Sequence, residues 1–195
     1  MNMKNVRVIV IAVVCVLVIC GGFFLFSQNQ NSGNPDELTE VEKVLVKDLE
    51  KDFPPTPREV VKFYNRIVQC YHTDNLKKDD LGKLVDQMMK LWDKDMLAKN
   101  SRETYLASVK ADLELYKKTK KSIVSMTVCD SKDVVEKTDD RNGDKLAFVK
   151  TTYFVNTDGT FTNSHMVIGL RQDDKGNWKI IGVTLTKGES SEDDE

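Results

Sequence analysis

The stretch LAFVKTTYFVNTDGTFTNSHMVIGLR, residues 146–171, decides the fold of this 195-residue chain. β-branched and aromatic side chains are frequent in both of its halves, and a tight turn at 157–159 separates them. Such residues favour strands, in which every second side chain lies on the same face, and so short a connection makes the two strands antiparallel. The stretch therefore predicts a hairpin of two long strands, at 146–156 and 160–171.

Two more predicted strands flank this hairpin. Residues 123–135 are rich in β-branched side chains and are followed by DDRNGD at 139–144, in which Asn-Gly favours a tight turn. Residues 178–186 form the last strand, after the polar turn DDKGN at 173–177. Because every connection is short, each strand is expected to pair with its neighbour. Residues 122–186 are thus predicted to form a four-stranded antiparallel meander.

The region before the meander is predicted to be helical. Asn34, Thr56 and Asn100 each stand three residues before a Glu, which is the spacing of a capping box. Apolar residues then recur every three to four positions. Four helices are expected, at 35–51, at 57–72, from about 79 with a break near 93–95, and at 101–120. Helices followed by a meander define an α+β domain with helices packed on one face of the sheet.

An apolar run near the amino terminus predicts the location of the chain. Residues 8–26 are nineteen uncharged, almost wholly apolar residues, preceded by Lys4 and Arg7. A helix of that length covers about 29 Å, which is close to the hydrocarbon thickness of a bilayer. We predict a transmembrane helix at 6–26 in the cell membrane, with the stub 1–5 in the cytoplasm and the remainder outside. A lipoprotein signal and a cleaved signal peptide are the alternatives.

Composition suggests the remaining domain boundaries and excludes one class of partner. Residues 27–35, SQNQNSGNP, predict a flexible linker, residues 36–187 an extracytoplasmic domain, and residues 188–195 a disordered acidic tail. The net charge of −2 gives no electrostatic indication of nucleic-acid binding. One basic cluster, at 117–121, is expected to complement a helix dipole, with binding of an anionic lipid or wall polymer as the alternative.

Motifs for catalysis or for metal binding are not found in the sequence. No G-x-S-x-G, H-E-x-x-H, P-loop or G-x-G-x-x-G pattern occurs, so we predict no enzyme, no cofactor and no catalytic residue. Outside the apolar run, Cys70 and Cys129 form no CxxC or His/Cys cluster, and no metal site is predicted. Both cysteines are expected to be reduced and buried, with a single bridge between them as the alternative.

The few candidate ligand-binding residues come from the predicted sheet. His165 is expected to share a sheet face with Phe161, Asn163, Val167 and Arg171. If that face lines a cone, His165 could touch a ligand. The candidates are Tyr153, His165 and Trp178. His72, at the end of the second predicted helix, is expected to be a solvated residue that favours the helix dipole.

Two resemblances extend this interpretation. DLEKDFPPTPREVVKFYNR, residues 48–66, resembles the signature of an uncharacterised family of small, single-span, membrane-anchored proteins of Gram-positive anaerobes. Helices followed by a meander that ends in GNWKIIGV, residues 176–183, resemble the nuclear transport factor 2-like fold, in which helices lie in a strongly bent, cone-like sheet. These resemblances imply a location and a fold, and they carry no known activity.

Two functions are compatible with the sequence, and the lack of a catalytic motif favours the first over the alternative. In the first, the chain is a membrane-anchored extracytoplasmic binding or interaction module whose sheet docks a partner protein or an envelope component. In the second, helices and sheet enclose a pocket for a small apolar ligand, with or without slow chemistry. An exposed apolar patch over a packed interior favours the first, and a closed cavity lined by Tyr153, His165 or Trp178 favours the second.

Overall fold

A computed structural model describes residues 38–74 and 76–186 of the chain. The chain divides into two compact units, Met1–Thr39 and Glu40–Glu195, and the fold described below belongs to the second. The predicted stub, membrane helix, linker and acidic tail lie outside the described residues. None of the helices within the described ranges is long and apolar enough to cross a bilayer.

Five helices precede the sheet in the described part of the chain. They are α1 (Glu40–Leu45), α2 (Pro57–Tyr71), α3 (Asp80–Lys90), α4 (Lys94–Lys99) and α5 (Arg102–Lys118). The predicted cap of α2 is confirmed, because the Thr56 hydroxyl accepts a hydrogen bond from the Glu59 amide at 3.2 Å. At α5 the cap lies one residue later than predicted, since Ser101 accepts from the amide of Thr104.

One antiparallel sheet follows the helices. Its strands are β1 (Lys121–Val128), β2 (Val135–Thr138), β3 (Lys145–Thr157), β4 (Thr160–Gln172) and β5 (Trp178–Thr186). β3 and β4 form the predicted hairpin, in register from Leu146 opposite Arg171 to Thr157 opposite Thr160. β5 pairs with β4, while β1 and β2 both pair with β3. The central hairpin of the prediction is therefore confirmed.

The predicted fold class is wrong in its element counts, and none of the described helices is the membrane span that it included. The described residues contain a five-stranded sheet and five helices, where four strands and about four helices were expected, and none of those helices is a bilayer span. The predicted strand at 123–135 is interrupted by a 3-10 turn at Ser131–Asp133. Val128 pairs with Thr151 and Val135 with Phe148, so the chain bulges out between β1 and β2 and returns to the same strand.

The first helix is shorter than predicted because a side chain from another helix binds its end. α1 ends at Leu45, and the predicted helix continued to residue 51. The Gln87 amide nitrogen on α3 donates to the carbonyl oxygens of Val44, Leu45 and Lys47 at 3.2, 3.1 and 2.9 Å. These carbonyls would otherwise lack partners at the helix end. The contact with Gln87 thus satisfies these carbonyls at a point where the apolar spacing predicts that the helix continues.

The helices cover one face of the sheet. Every second residue of β3 from Ala147 to Val155 is buried, while Lys150 and Phe154 on the other face are exposed, so only one face of β3 lies in the core. The helical half of this core includes six fully buried side chains of α2 and α3: Val60, Val61, Ile67, Leu84, Val85 and Met88. Each such side chain stabilises the fold by about 1.5–3 kcal/mol relative to exposure.

The break between α3 and α4 occurs where predicted and attaches this segment to the sheet. Trp92 forms a parallel bridge with Ile180, whose amide donates to the Leu91 carbonyl at 2.8 Å. The buried Asp93 carboxylate caps α4 and pairs with the guanidinium of Arg171 on β4. Because Asp93 is 4% exposed, its charge requires this partner. The ion pair fixes α4 against the end of the sheet.

A buried hydrogen-bonded chain joins α2 to the sheet. The Tyr153 hydroxyl donates to Asn65 Oδ1 at 2.8 Å, and Asn65 Nδ2 donates to Thr151 Oγ1 at 3.0 Å. The Thr151 hydroxyl in turn donates to the Thr127 carbonyl on β1 at 2.8 Å. The side-chain nitrogen and oxygen atoms of Tyr153, Asn65 and Thr151 each have at least one partner in this network, which makes the burial of Asn65 tolerable.

We expect Tyr153→Phe to lower the free energy of unfolding by about 1–3 kcal/mol, because Asn65 Oδ1 would remain buried without a donor. Chemical denaturation monitored by circular dichroism measures the change. Phe154→Leu, at the next position of β3 on the exposed face, is the matched control and should change stability by less than about 1 kcal/mol. Equal stability of Tyr153→Phe and the unmodified protein would contradict a structural role for this chain.

Candidate ligand-binding site

All five tyrosines of the chain line one cavity. The cavity has a volume of 240 Å³ and lies between α2, α5, β1 and β3. The tyrosines are Tyr64, Tyr71, Tyr105, Tyr116 and Tyr153. We call this cavity the tyrosine pocket. Aromatic rings are common in ligand pockets because they offer large apolar faces together with a polar tip.

Local structure explains how the rings converge. Tyr64 and Tyr71 are two helical turns apart on α2, so they point from the same face. Tyr105 and Tyr116 are three turns apart on α5 and lie on its inward face. Tyr153 stands on the helix-facing side of β3. The apolar stripes predicted for these helices contain the four helical tyrosines. The spacing is the same for residues that line a pocket and for residues that pack in a core, so it does not predict the pocket.

The tyrosine hydroxyls are held in their neutral form. Burial raises the pKa of Tyr64, Tyr71, Tyr105 and Tyr153 above that of an ordinary phenol. Three of the hydroxyls already have protein partners, since Tyr71 donates to the Leu84 carbonyl at 3.4 Å, Tyr105 pairs with Tyr71, and Tyr153 donates to Asn65. Among the described residues, the hydroxyls of Tyr64 and Tyr116 have no protein partner, so both can donate to a ligand or to water.

His72 stands at the rim of the tyrosine pocket. Its ring lies 4.5 Å from that of Tyr116, centroid to centroid. Burial is the main cause that lowers the pKa of His72, with Lys121 acting in the same direction and Asp112 against it. The expectation of a solvated residue is therefore wrong: His72 is half-buried, because α5 packs beside the end of α2.

A larger basic groove adjoins the tyrosine pocket. It has a volume of 750 Å³ and is lined by the end of α2, the loop before α3, and the second half of α5. Both cavities are lined by Tyr71, His72, Leu113 and Tyr116, so the groove adjoins the pocket at these residues, a junction that we call the mouth. We call it the lysine groove, because six lysines line it: Lys77, Lys78, Lys110, Lys117, Lys120 and Lys121.

One groove residue has a backbone conformation that L-residues rarely adopt. Lys120, between α5 and β1, has φ 49°, and Asp158 in the β3–β4 turn has φ 48°. The two residues bind each other, through Lys120 Nζ to Asp158 Oδ1 at 2.9 Å and through the Asp158 amide to the Lys120 carbonyl at 3.2 Å. Left-handed backbone at a non-glycine residue costs about 1–2 kcal/mol. This mutual contact therefore holds Lys120 in place at the groove.

The three candidate residues from the sequence lie in three different places. Tyr153 lines the tyrosine pocket. His165 is on the sheet face away from the helices, where its Nδ1 lies 3.0 Å from Thr152 Oγ1. Trp178 is buried and lines a separate depression of 300 Å³ beside β2. The structure does not bring His165 or Trp178 to Tyr153, and it adds Tyr64, Tyr105 and His72 instead.

The polar groups that line this site are phenols, an imidazole, ammonium groups and a few carboxylates. No group of three or more His, Cys, Asp or Glu residues that could hold a metal occurs in residues 38–74 and 76–186. Cys70 is buried and Cys129 half-buried, and the two are not bridged. Burial is the first cause that raises the pKa of Cys70, which keeps it a neutral thiol. The site therefore offers neutral phenols, an imidazole and ammonium groups to a ligand.

These features define the class of the protein, an α+β domain with an aromatic pocket beneath a basic groove. The chain belongs to the family described as Domain of unknown function (DUF6715), whose model matches residues 1–183. No curated protein matches the chain. The prediction that the chain belongs to an uncharacterised family is therefore confirmed.

We expect the free energy of unfolding to fall as the pH is lowered from 7 to 5, in part because of His72. Its pKa in the folded state is below the ordinary value of 6.5, so protonation favours the unfolded chain below that pH. His72→Phe keeps a ring against Tyr116 and should lose less stability over this range. Denaturation at each pH measures the difference. His165→Asn, on the other sheet face, is the control, and a pH profile of His72→Phe identical to that of the unmodified protein would contradict the prediction.

Proposed function

We propose that this domain is an extracytoplasmic binding module that takes a small, flat, apolar or aromatic molecule into the tyrosine pocket and does not transform it. The observation that carries the proposal is the convergence of all five tyrosines on one cavity of 240 Å³. Five tyrosines scattered over the surface or the core would not line one cavity together. Gathered here, they supply ring faces for stacking and hydroxyls for orientation.

The distribution of used and unused hydroxyls supports binding. Tyr153 and Tyr71 have protein partners and act as walls of the pocket. Tyr64 and Tyr116 have none among the described residues and face the cavity from opposite helices. A planar ligand between them would contact aromatic faces and could accept one hydrogen bond from each side. Such a few polar groups in an apolar lining are the common pattern of small-molecule sites.

The fold we propose for the module is nuclear transport factor 2-like. Helices cover one face of an antiparallel sheet whose β1–β3 and β4–β5 registers each contain an irregularity, at 123–125 and at 169–170. Bulges bend and twist the strands that contain them. A sheet bent toward its helices would leave space between the two layers, which is where the tyrosine pocket lies.

The location of the module outside the cell is supported by the sequence alone. The apolar run at 8–26 follows Lys4 and Arg7, and it lies outside the described residues. If the run attaches the chain to the outer face of the membrane, protease added to intact protoplasts should digest the domain and spare a tag placed before Val6. Digestion of the tag together with a protected domain would show the opposite orientation.

Binding can be tested with 2-naphthamide, a flat uncharged probe, and the full chain held in nanodiscs of zwitterionic lipid. We expect saturable binding by isothermal titration, with empty nanodiscs as the blank. Tyr64→Leu and Tyr116→Leu should each weaken binding by about tenfold or less, since one aromatic pair contributes about 0.5–1.5 kcal/mol.

The control for this test is Phe161→Leu, which changes an aromatic residue on the exposed sheet face. Its affinity for 2-naphthamide should equal that of the unmodified chain. If the unmodified chain does not bind the probe, or if Phe161→Leu weakens binding as much as the tyrosine variants do, the tyrosine pocket is not the site.

A second candidate function is the docking of a partner protein on the exposed sheet face. The observation that favours it is the stacked pair of Phe154 and Phe161, whose ring centroids are 5.3 Å apart. Phe154 is 37% exposed to solvent and Phe161 is 55% exposed. Large exposed aromatic residues are enriched at protein interfaces. A photo-crosslinking residue at position 161 should capture one specific protein on intact cells if this face is used, and a crosslinker at Lys132 serves as the control.

A further inference from the structure

We infer that the ligand of the tyrosine pocket carries an anionic group, a carboxylate or a phosphate, which binds among the lysines of the lysine groove. This inference rests on the proposed function and adds the charge of the ligand to it. The two cavities adjoin at Tyr71, His72, Leu113 and Tyr116. One molecule could therefore place an apolar body in the pocket and an anionic group in the groove.

The charge lining the groove is strongly unbalanced. Six lysines line it, and the only carboxylates of its lining are Asp74 and Asp79, both in the loop before α3. Asp112 adds one carboxylate to the wall of the tyrosine pocket, opposite His72. The charge of the whole chain is −2, so this surface differs in sign from the chain that carries it. A concave surface with one dominant sign of charge concentrates ligands of the opposite sign.

Neighbouring carboxylates neutralise only part of this charge. Lys77 lies 3.7 Å from Glu42, and Lys120 lies 2.9 Å from Asp158. In the part of the chain that the structure describes, Lys78, Lys110 and Lys117 form no ion pair. Three ammonium groups thus remain available to an anion at the mouth.

Lys121 marks the boundary between the two parts of the site. Its Nζ lies 4.7 Å from the centroid of the Tyr116 ring, above a residue that lines both cavities. A cation over an aromatic face is attracted to the ring while its hydrogen atoms stay available to an acceptor. An acid group at this point would contact Lys121 while the rest of the ligand meets Tyr116.

The dipole of α5 does not explain the position of all these lysines. Lys117 is in the last turn of α5, where a cation complements the carbonyl end of the helix. Lys110 is two turns earlier, and Lys77 and Lys78 belong to the loop before α3. The dipole effect falls off within one turn, so these three residues need another reason to face the same groove.

A matched pair of probes tests the inference. 2-Naphthoate has the shape of 2-naphthamide and carries one negative charge. With the full chain in zwitterionic nanodiscs at low salt, we expect naphthoate to bind about tenfold tighter than naphthamide, and the advantage to shrink as the ionic strength rises. The double variant Lys110→Gln/Lys117→Gln should remove most of this advantage and leave the affinity for naphthamide unchanged.

Lys118→Gln is the control variant, because Lys118 is also in the last turn of α5 and does not line the groove. It should retain the preference for naphthoate. Replacing the zwitterionic lipid by anionic phosphatidylglycerol identifies the source of the anion. Competition with naphthoate would indicate a lipid headgroup, unchanged affinity would indicate a soluble organic acid, and both results support an anion site.

Two results separate this inference from the function on which it rests. If naphthamide and naphthoate bind equally well, and the double lysine variant alters neither, the pocket binds a ligand but the anion site is wrong. If neither probe binds, the proposed function fails and the inference fails with it.

Discussion

A run of buried hydrogen bonds fixes the register of α2 against the sheet. Tyr153 donates to Asn65, Asn65 to Thr151, and Thr151 to the backbone of β1. Apolar packing alone permits a helix to slide or rotate by small amounts at little cost, whereas a buried amide without partners costs about 1–3 kcal/mol. Asn65 therefore selects one position of α2. In that position Tyr64 and Tyr71, on either side of Asn65, face α5.

The other wall of the site is fixed by a different contact. α5 must end and turn into β1 within a few residues, and Lys120 makes this turn in a left-handed conformation. Its bonds to Asp158 attach the turn to the end of the β3–β4 hairpin. The hairpin thereby positions both Tyr153, on its first strand, and the lysines that follow α5. One wall of the pocket and one side of the groove are thus attached to the same hairpin.

The sequence predicted those elements whose signals are local. The hairpin at 146–171, the cap at Thr56 and the break near Asp93 depend on nearby residues, and the structure contains them. The end of α1 depends on Gln87, more than forty positions away, and no local pattern indicates it. Apart from Tyr153, the residues of the site were missed for the same reason. Tyrosines spaced seven or eleven residues apart fit the apolar stripe of a helix. Only the tertiary placement of α2 beside α5 brings their rings to one cavity.

The bridge between Trp92 and Ile180 has a consequence for association between copies of this chain. β5 lies at the edge of the sheet, and an open edge can add a strand from another molecule and so begin aggregation. Residues 91–93 occupy part of that edge, with hydrogen bonds between Ile180 and Leu91 and between Asp93 and Ile180. On the opposite edge, the turn at 131–133 interrupts what would be one long strand. These two features shorten the row of free amides at each edge, which disfavours intermolecular strand addition.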